Sequence, residues 1–182
     1  MSRLRDLEPA ELSPEARAVY DDIARDHARV RGPWQIELRV PDVAHHYHGL
    51  YRALCVNPKV GKRLFEMMVI VVARHFTAQF EWYAHERAAL ANGIAPAVVD
   101  AIRHRRIPTF EHADEQLVYE LTRELLETHR LDTTTYERAL AAFGEEHLVE
   151  LITGAGTYAS IAMQLNAFDV TPPADGQLLE GP

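Results

Sequence analysis

A single cysteine, Cys55, leaves this 182-residue chain without an intramolecular disulfide or a Cys-x-x-Cys redox couple. Long hydrophobic runs are absent too. The longest, Met67 to Ala73, falls far short of the roughly 20 residues that a membrane span requires. The opening Met-Ser-Arg-Leu-Arg-Asp has no apolar stretch behind it, so no signal peptide and no membrane partner are expected, and the cytoplasm is the expected location. Basic residues are in short supply, 19 against 27 acidic ones for a net charge of −8, a balance that repels phosphate backbones and excludes nucleic acid as the expected partner. The densest basic run, Arg103-His104-Arg105-Arg106, closes an expected helix, where cations favour the helix dipole. There is no Gly-rich phosphate loop, no Gly-x-Ser-x-Gly elbow and no His-Glu-x-x-His, so nucleotide-dependent chemistry has no support and no cofactor is expected. Finally, no stretch shows convincing period-two alternation, which removes the sheet classes and leaves an all-α chain.

What is present reads as about seven or eight helices. Ser13-Pro14-Glu15 is a start signal, a capping hydroxyl before proline and an acid, and the helix it opens ends near Arg31-Gly32-Pro33. Trp34 to Pro41 reads as a loop between two prolines. A second helix runs from Pro41-Asp42 to about Cys55, and a third from about Lys59 to His75 is apolar on nearly all sides, the mark of a helix enclosed by others. Thr77 reads as the cap of a fourth, which stops at Asn92-Gly93, a pair suited to a left-handed turn. Further helices are expected over 96–105, 114–129 and from Thr134 to Gly144. The last long one, about Glu145 to Phe168, contains Gly154-Ala155-Gly156, where small residues permit a close crossing. Residues 1–170 are read as one domain, of a size that can bury a substantial core, and 171–182 as a flexible Pro- and Gly-rich tail.

Three polar residues stand out. Glu66 lies within Leu64-Phe65-Glu66-Met67-Met68-Val69, where an ionised carboxylate costs several kcal/mol unless partnered, roughly speaking. At about 100° per residue Arg74 falls near its face and His75 on the opposite one. A structural ion pair and a functional acid are both open readings. Glu81 and His85 are one turn apart on one face of the next helix, a usable acid/base pair or a plain surface pair. Trp82 can sit in the core or wall a pocket. Of His45, His46 and His48 only the first and last have metal-ligand spacing, and no metal is expected.

Glu66, the stretch Phe80-Glu81-Trp82-Tyr83-Ala84-His85-Glu86 and Ala89-Leu90-Ala91-Asn92-Gly93-Ile94 resemble the carboxymuconolactone decarboxylase superfamily, which includes the alkylhydroperoxidase D proteins. The resemblance implies a compact multi-helix fold of the alkylhydroperoxidase D type, assembly as a homo-oligomer (trimer or hexamer), and an active site near a subunit interface. The peroxidase branch follows its glutamate by Cys-x-x-Cys-x-x-x-His. Laid on this chain, the glutamate is Glu66 and the histidine His85, but the cysteine positions hold Ala78 and Glu81. A thiol peroxidase needs both an attacking thiolate and a resolving partner, so redox chemistry is excluded at the motif. The decarboxylase branch has Glu-x-x-x-His here, matching Glu81 and His85. The resemblance therefore implies a redox-inactive enzyme, a decarboxylase or related lyase or isomerase, acting on a small carboxylated lactone or aromatic ring-cleavage product. His85 would donate a proton to carbon, Glu81 would hold and polarise it, Glu66 would complete a relay, and Arg74 and Trp82 would bind substrate. Two alternatives are a non-catalytic ligand-binding or structural oligomer of the same fold and, last, a peroxidase using Cys55.

Overall fold

The computed structural model describes residues 2–181, and among them there are helices and no strands. Eight α-helices follow one another: α1 (Pro14–Asp26), α2 (Pro33–Glu37), α3 (Pro41–Tyr51), α4 (Lys62–His75), α5 (Gln79–Ala91), α6 (Pro96–Arg103), α7 (Ala113–Thr128) and α8 (Thr133–Ala167). A 3-10 turn, Pro9–Glu11, precedes α1, and a π-helical turn, Arg52–Val56, extends α3. The all-α expectation holds, because every long apolar run is spaced for helices. None of the helices described is long and apolar enough to cross a membrane.

The central helix is α4, which packs against α5, α6, α7 and α8. Its residues from Met67 to Ala73 are all buried, which is why the sequence there loses helical polarity. α8 crosses α4 closely at Gly154: a Cβ there would come within 2.7 Å of Met68 Cε and 3.0 Å of Phe65 Cε2, so only glycine fits without repacking. At Gly144 the backbone of α8 turns to φ 73°, ψ 170°, breaking it into two helical pieces where the sequence places a helix end.

Local signals explain most boundaries. The Ser13 hydroxyl accepts from the Ala16 amide at 3.2 Å, and Gly93 closes α5 at φ 95°. Three expectations change. Trp34 to Pro41 is not a plain loop: Pro33 at the first turn starts the short α2, whose Trp34 and Glu37 are buried. Thr77 does not cap α5, because its φ is 50° and its hydroxyl accepts hydrogen bonds from Arg74 and Arg105. The tail expected to be flexible is tied across α4 and α5. Leu179 is buried, its amide donates to Gln79 Oε1 at 2.7 Å, and the Tyr83 hydroxyl donates to Asp175 at 3.1 Å.

The N-terminal helices have an apolar cluster of their own. Ile23, Val30, Trp34, Leu38 and Ala44 form it, with Tyr20, Tyr47 and Tyr51 packed around. A polar clamp holds α1 to α3. His48 is buried, with Nδ1 3.2 Å from Asp22 Oδ2 and Nε2 2.9 Å from Asp26 Oδ2, and Arg52 donates to the same two carboxylates. That is the fate of the one histidine of the 45–48 group that turns inward. Among the described residues no three histidine, cysteine or carboxylate side chains are grouped to hold a metal ion.

Candidate active site

α4 and α5 run back to back through a three-residue connection, and this brings Glu66 and His85 together. Glu66 Oε2 lies 2.8 Å from His85 Nδ1, with both side chains mostly shielded. A carboxylate only accepts, so Nδ1 carries the hydrogen and, in the neutral ring, Nε2 keeps the lone pair. The edge of the Tyr158 ring fixes the imidazole from α8, the centroids 5.0 Å apart and the planes at 89°.

His85 opens on a cavity of about 610 Å³. Its floor is Glu81, Ala84, His85 and Tyr158, from α5 and α8. Its roof comes from the N-terminal helices: His27, Trp34 and Tyr51, with Arg29 and Arg31 on the α1–α2 loop. Glu81 is 2% exposed, and neither of its oxygens has a hydrogen-bond partner in the protein. Burial alone pushes its carboxyl well above the usual carboxylate range, which favours the protonated form. Tyr158 is driven the same way, first by burial and then by Cys55, Glu66 and Glu81 nearby, so it stays a neutral phenol.

The roof is shaped by Gly32, at φ 65°, where a Cβ would come within 2.3 Å of Phe80 Cε1. That close approach lets Phe80 of α5 line the cavity, and the Arg31 guanidinium lies 6.0 Å from the Phe80 ring centroid. The His27 ring lies tilted against Tyr51, with centroids 4.6 Å apart, and against Trp34, at 5.2 Å. Burial, then the nearby His48, lower its basicity, so it faces the cavity as a neutral ring.

Glu81 and His85 line the cavity, and Glu66, which does not line it, reaches it through His85, so the pairing differs from the one that helical spacing suggests. His85 is held by Glu66 across two helices, and Glu81 stands apart without a partner. Arg74 and Trp82 are placed elsewhere. Arg74 donates to Arg103 O, Thr77 Oγ1 and Glu180 O. Trp82 is wholly buried on the side of α5 away from the cavity, under the Arg103 guanidinium at 5.4 Å. Neither lines the space in which His85 sits.

Cys55, the thiol of the last alternative, sits apart from the cavity. It lies 3.5 Å from the Tyr158 hydroxyl, and burial pushes its thiol up to about 11. The residues that sequence reasoning missed are those of the roof, His27, Arg29, Arg31, Trp34 and Tyr51, and Tyr158 of the floor. The one local signal was Arg-Gly-Pro-Trp, whose glycine marks a close approach.

No family model and no curated protein matches the sequence. Among solved structures, the alkylhydroperoxidase AhpD core described as an uncharacterized peroxidase-related protein from Ralstonia eutropha JMP134 matches with a TM-score of 0.77. The identity is 16%, and the match spans 96% of this chain and 93% of that one. At this identity the likeness speaks for architecture, and over nearly its whole length the chain has the alkylhydroperoxidase AhpD-like fold.

Proposed function

We propose that the chain is a redox-inactive enzyme that moves a proton on a small carboxylated lactone or aromatic ring-cleavage product, as a decarboxylase or a related lyase or isomerase. The observation that carries this reading is the pairing of Glu66 with His85 at 2.8 Å, with His85 and a buried, unpartnered Glu81 both lining one cavity. In decarboxylation of an unsaturated lactone, the bond to the carboxylate breaks and its electron pair enters the conjugated system. Carbon dioxide leaves, and the electron-rich carbon must then take a proton.

Glu81 is suited to give that proton, because its burial keeps it loaded at neutral pH. His85, its Nδ1–H held by Glu66, takes a proton from solvent at Nε2 and passes it to Glu81 once that group has ionised. Tyr158 and Tyr51 shape the space and restrict water. An anionic substrate meets little repulsion, since Glu81 is neutral, Glu66 is bound to His85, and Arg29 and Arg31 stand at the cavity.

The test is release of carbon dioxide from carboxymuconolactone and related unsaturated lactone acids by the wild type and by His85→Gln. Turnover that falls by at least about a hundredfold in the variant, with its helical content and oligomeric state unchanged, supports proton transfer. An unchanged rate removes it. If neither protein consumes any such substrate, while His85→Gln only lowers thermal stability, the cavity is a binding site and not a catalytic one.

A further inference from the structure

A second cavity, of about 350 Å³, lies between α4, α6 and α7 and shares no lining residue with the first. Arg74, His75, Arg105, Arg106 and Arg123 stand around it, with Glu127 as its one carboxylate, in a chain whose net charge is −8. Two of the arginines are compensated: Arg106 pairs with Asp100, and Arg123 with Glu127 at 2.8 Å. The other two are not. Among the described residues no carboxylate lies within ion-pair distance of Arg74 or Arg105.

Arg74 is 5% exposed and gives its hydrogens to three uncharged oxygens, at 2.7 Å (Arg103 O), 2.9 Å (Thr77 Oγ1) and 2.8 Å (Glu180 O). Arg105 reaches the same Thr77 hydroxyl at 3.1 Å. Two like charges therefore converge on one neutral oxygen. The backbone is bent to place them: Thr77 has φ 50° and Arg105 φ 55°, left-handed values that residues with side chains seldom adopt, a β-branched one least of all. Burial, then Arg105 and Arg103, pull the Arg74 guanidinium below its ordinary value, the response of a cation held among cations. Arg105 is exposed and free to swing into water, yet it is folded back toward Arg74. An anion between the two guanidiniums would relieve both the burial and the repulsion.

We propose that this cavity is a binding site for a small organic oxyanion, a phosphate or carboxylate carried on an apolar or aromatic body. Arg74 and Arg105 hold the charged head with the donors they have left, Thr77 Oγ1 keeps the two guanidiniums in register, and Val71, Ile102 and Ile107 receive the body. Planar guanidiniums side by side match the oxygens of such a head, whereas the single carboxylate, Glu127, is already engaged by Arg123. Ile107 is 79% exposed, a large apolar side chain left at the rim, where a ligand's apolar part would cover it.

The experiment is calorimetric titration of the full chain with inorganic phosphate, phenyl phosphate and benzoate at low ionic strength. The expected result is one saturable site in the millimolar range or tighter, with phenyl phosphate ahead of inorganic phosphate because it also covers Ile107. Phenyl phosphate against benzoate tells which head is preferred. Arg105→Gly removes the charge and suits the φ of 55°, so the fold is kept while affinity falls by at least about tenfold. Ile107→Asp, at a side chain in solvent, weakens all three ligands and erases the preference for the phenyl group. No saturable binding of any of the three overturns the proposal. Binding that survives Arg105→Gly but is lost in Arg31→Gln also overturns it, because the ligand then lies in the His85 cavity.

Discussion

Glu37 offers a quantitative test of how this fold handles buried charge. It lies on α2, 3% exposed, with neither oxygen hydrogen-bonded, and Gln164 of α8 offsets only part of the burial that drives its carboxyl from 4.5 up to about 8. The folded protein therefore holds a proton there at neutral pH, whereas the unfolded chain releases it above pH 4.5. As pH rises, the unfolded state gains and stability falls, until the folded group also ionises near 8. Each pH unit between these limits contributes ~1.4 kcal/mol, so from pH 4.5 to 7 the loss is about 3 kcal/mol. Glu37→Gln has no group to titrate. Urea denaturation of both proteins near pH 4 sets the packing difference between acid and amide, and repetition at pH 7 isolates the proton. Relative to that baseline the variant should gain about 3 kcal/mol by pH 7 and little more beyond pH 8. Parallel stability curves for the two proteins between pH 4.5 and 8 would refute the reasoning, since they would mean that Glu37 is solvated or paired in the folded state.

Two other substitutions probe the site and its roof, and alkylation probes the buried thiol. Gly32→Ala forces a Cβ into Phe80 at a φ of 65°, and should lower stability by about 2 kcal/mol or more in denaturant melts while displacing Phe80 and Arg31 from the cavity. The Cys55 thiol, pushed from 9.0 to about 11, should react with iodoacetamide at neutral pH about a hundredfold more slowly than a free cysteine; reaction at the free rate would show an accessible thiolate. Glu81→Met replaces a buried, unpartnered acid by an apolar side chain of similar volume. Thermal stability at neutral pH should rise, and any turnover should vanish; retained turnover would take proton donation away from Glu81.

The helices were legible because their ends carry local chemistry. Ser13 before Pro14 and Asn92-Gly93 act within a turn of themselves, so neighbours in sequence suffice to place them. Thr77 misled, since its hydroxyl is taken by two arginines, one of them from beyond α6, and no window of sequence holds that information. The site shows the same division. Helical spacing put Glu81 and His85 on one face, and both do line the cavity, but which carboxylate grips His85 is decided by the crossing of α4 and α5. Only the resemblance, not the spacing, linked Glu66 to His85. Arg74, expected near the face of Glu66, is instead held by carbonyls of α6 and of the tail. The roof was hardest, because His27, Trp34 and Tyr51 carry no motif and meet the floor only once α1–α3 fold onto α8.

That roof has its own apolar cluster, apart from the one that surrounds α4. A piece with a private core can detach as a unit at a cost well below that of melting the whole molecule. A molecule can then reach the space above His85 without a channel: the first three helices can lift away together while α4, α5 and α8 stay folded. Amide hydrogens of α1 and α2 would exchange with solvent well before those of α4, and a trapped ligand would slow the former without touching the latter.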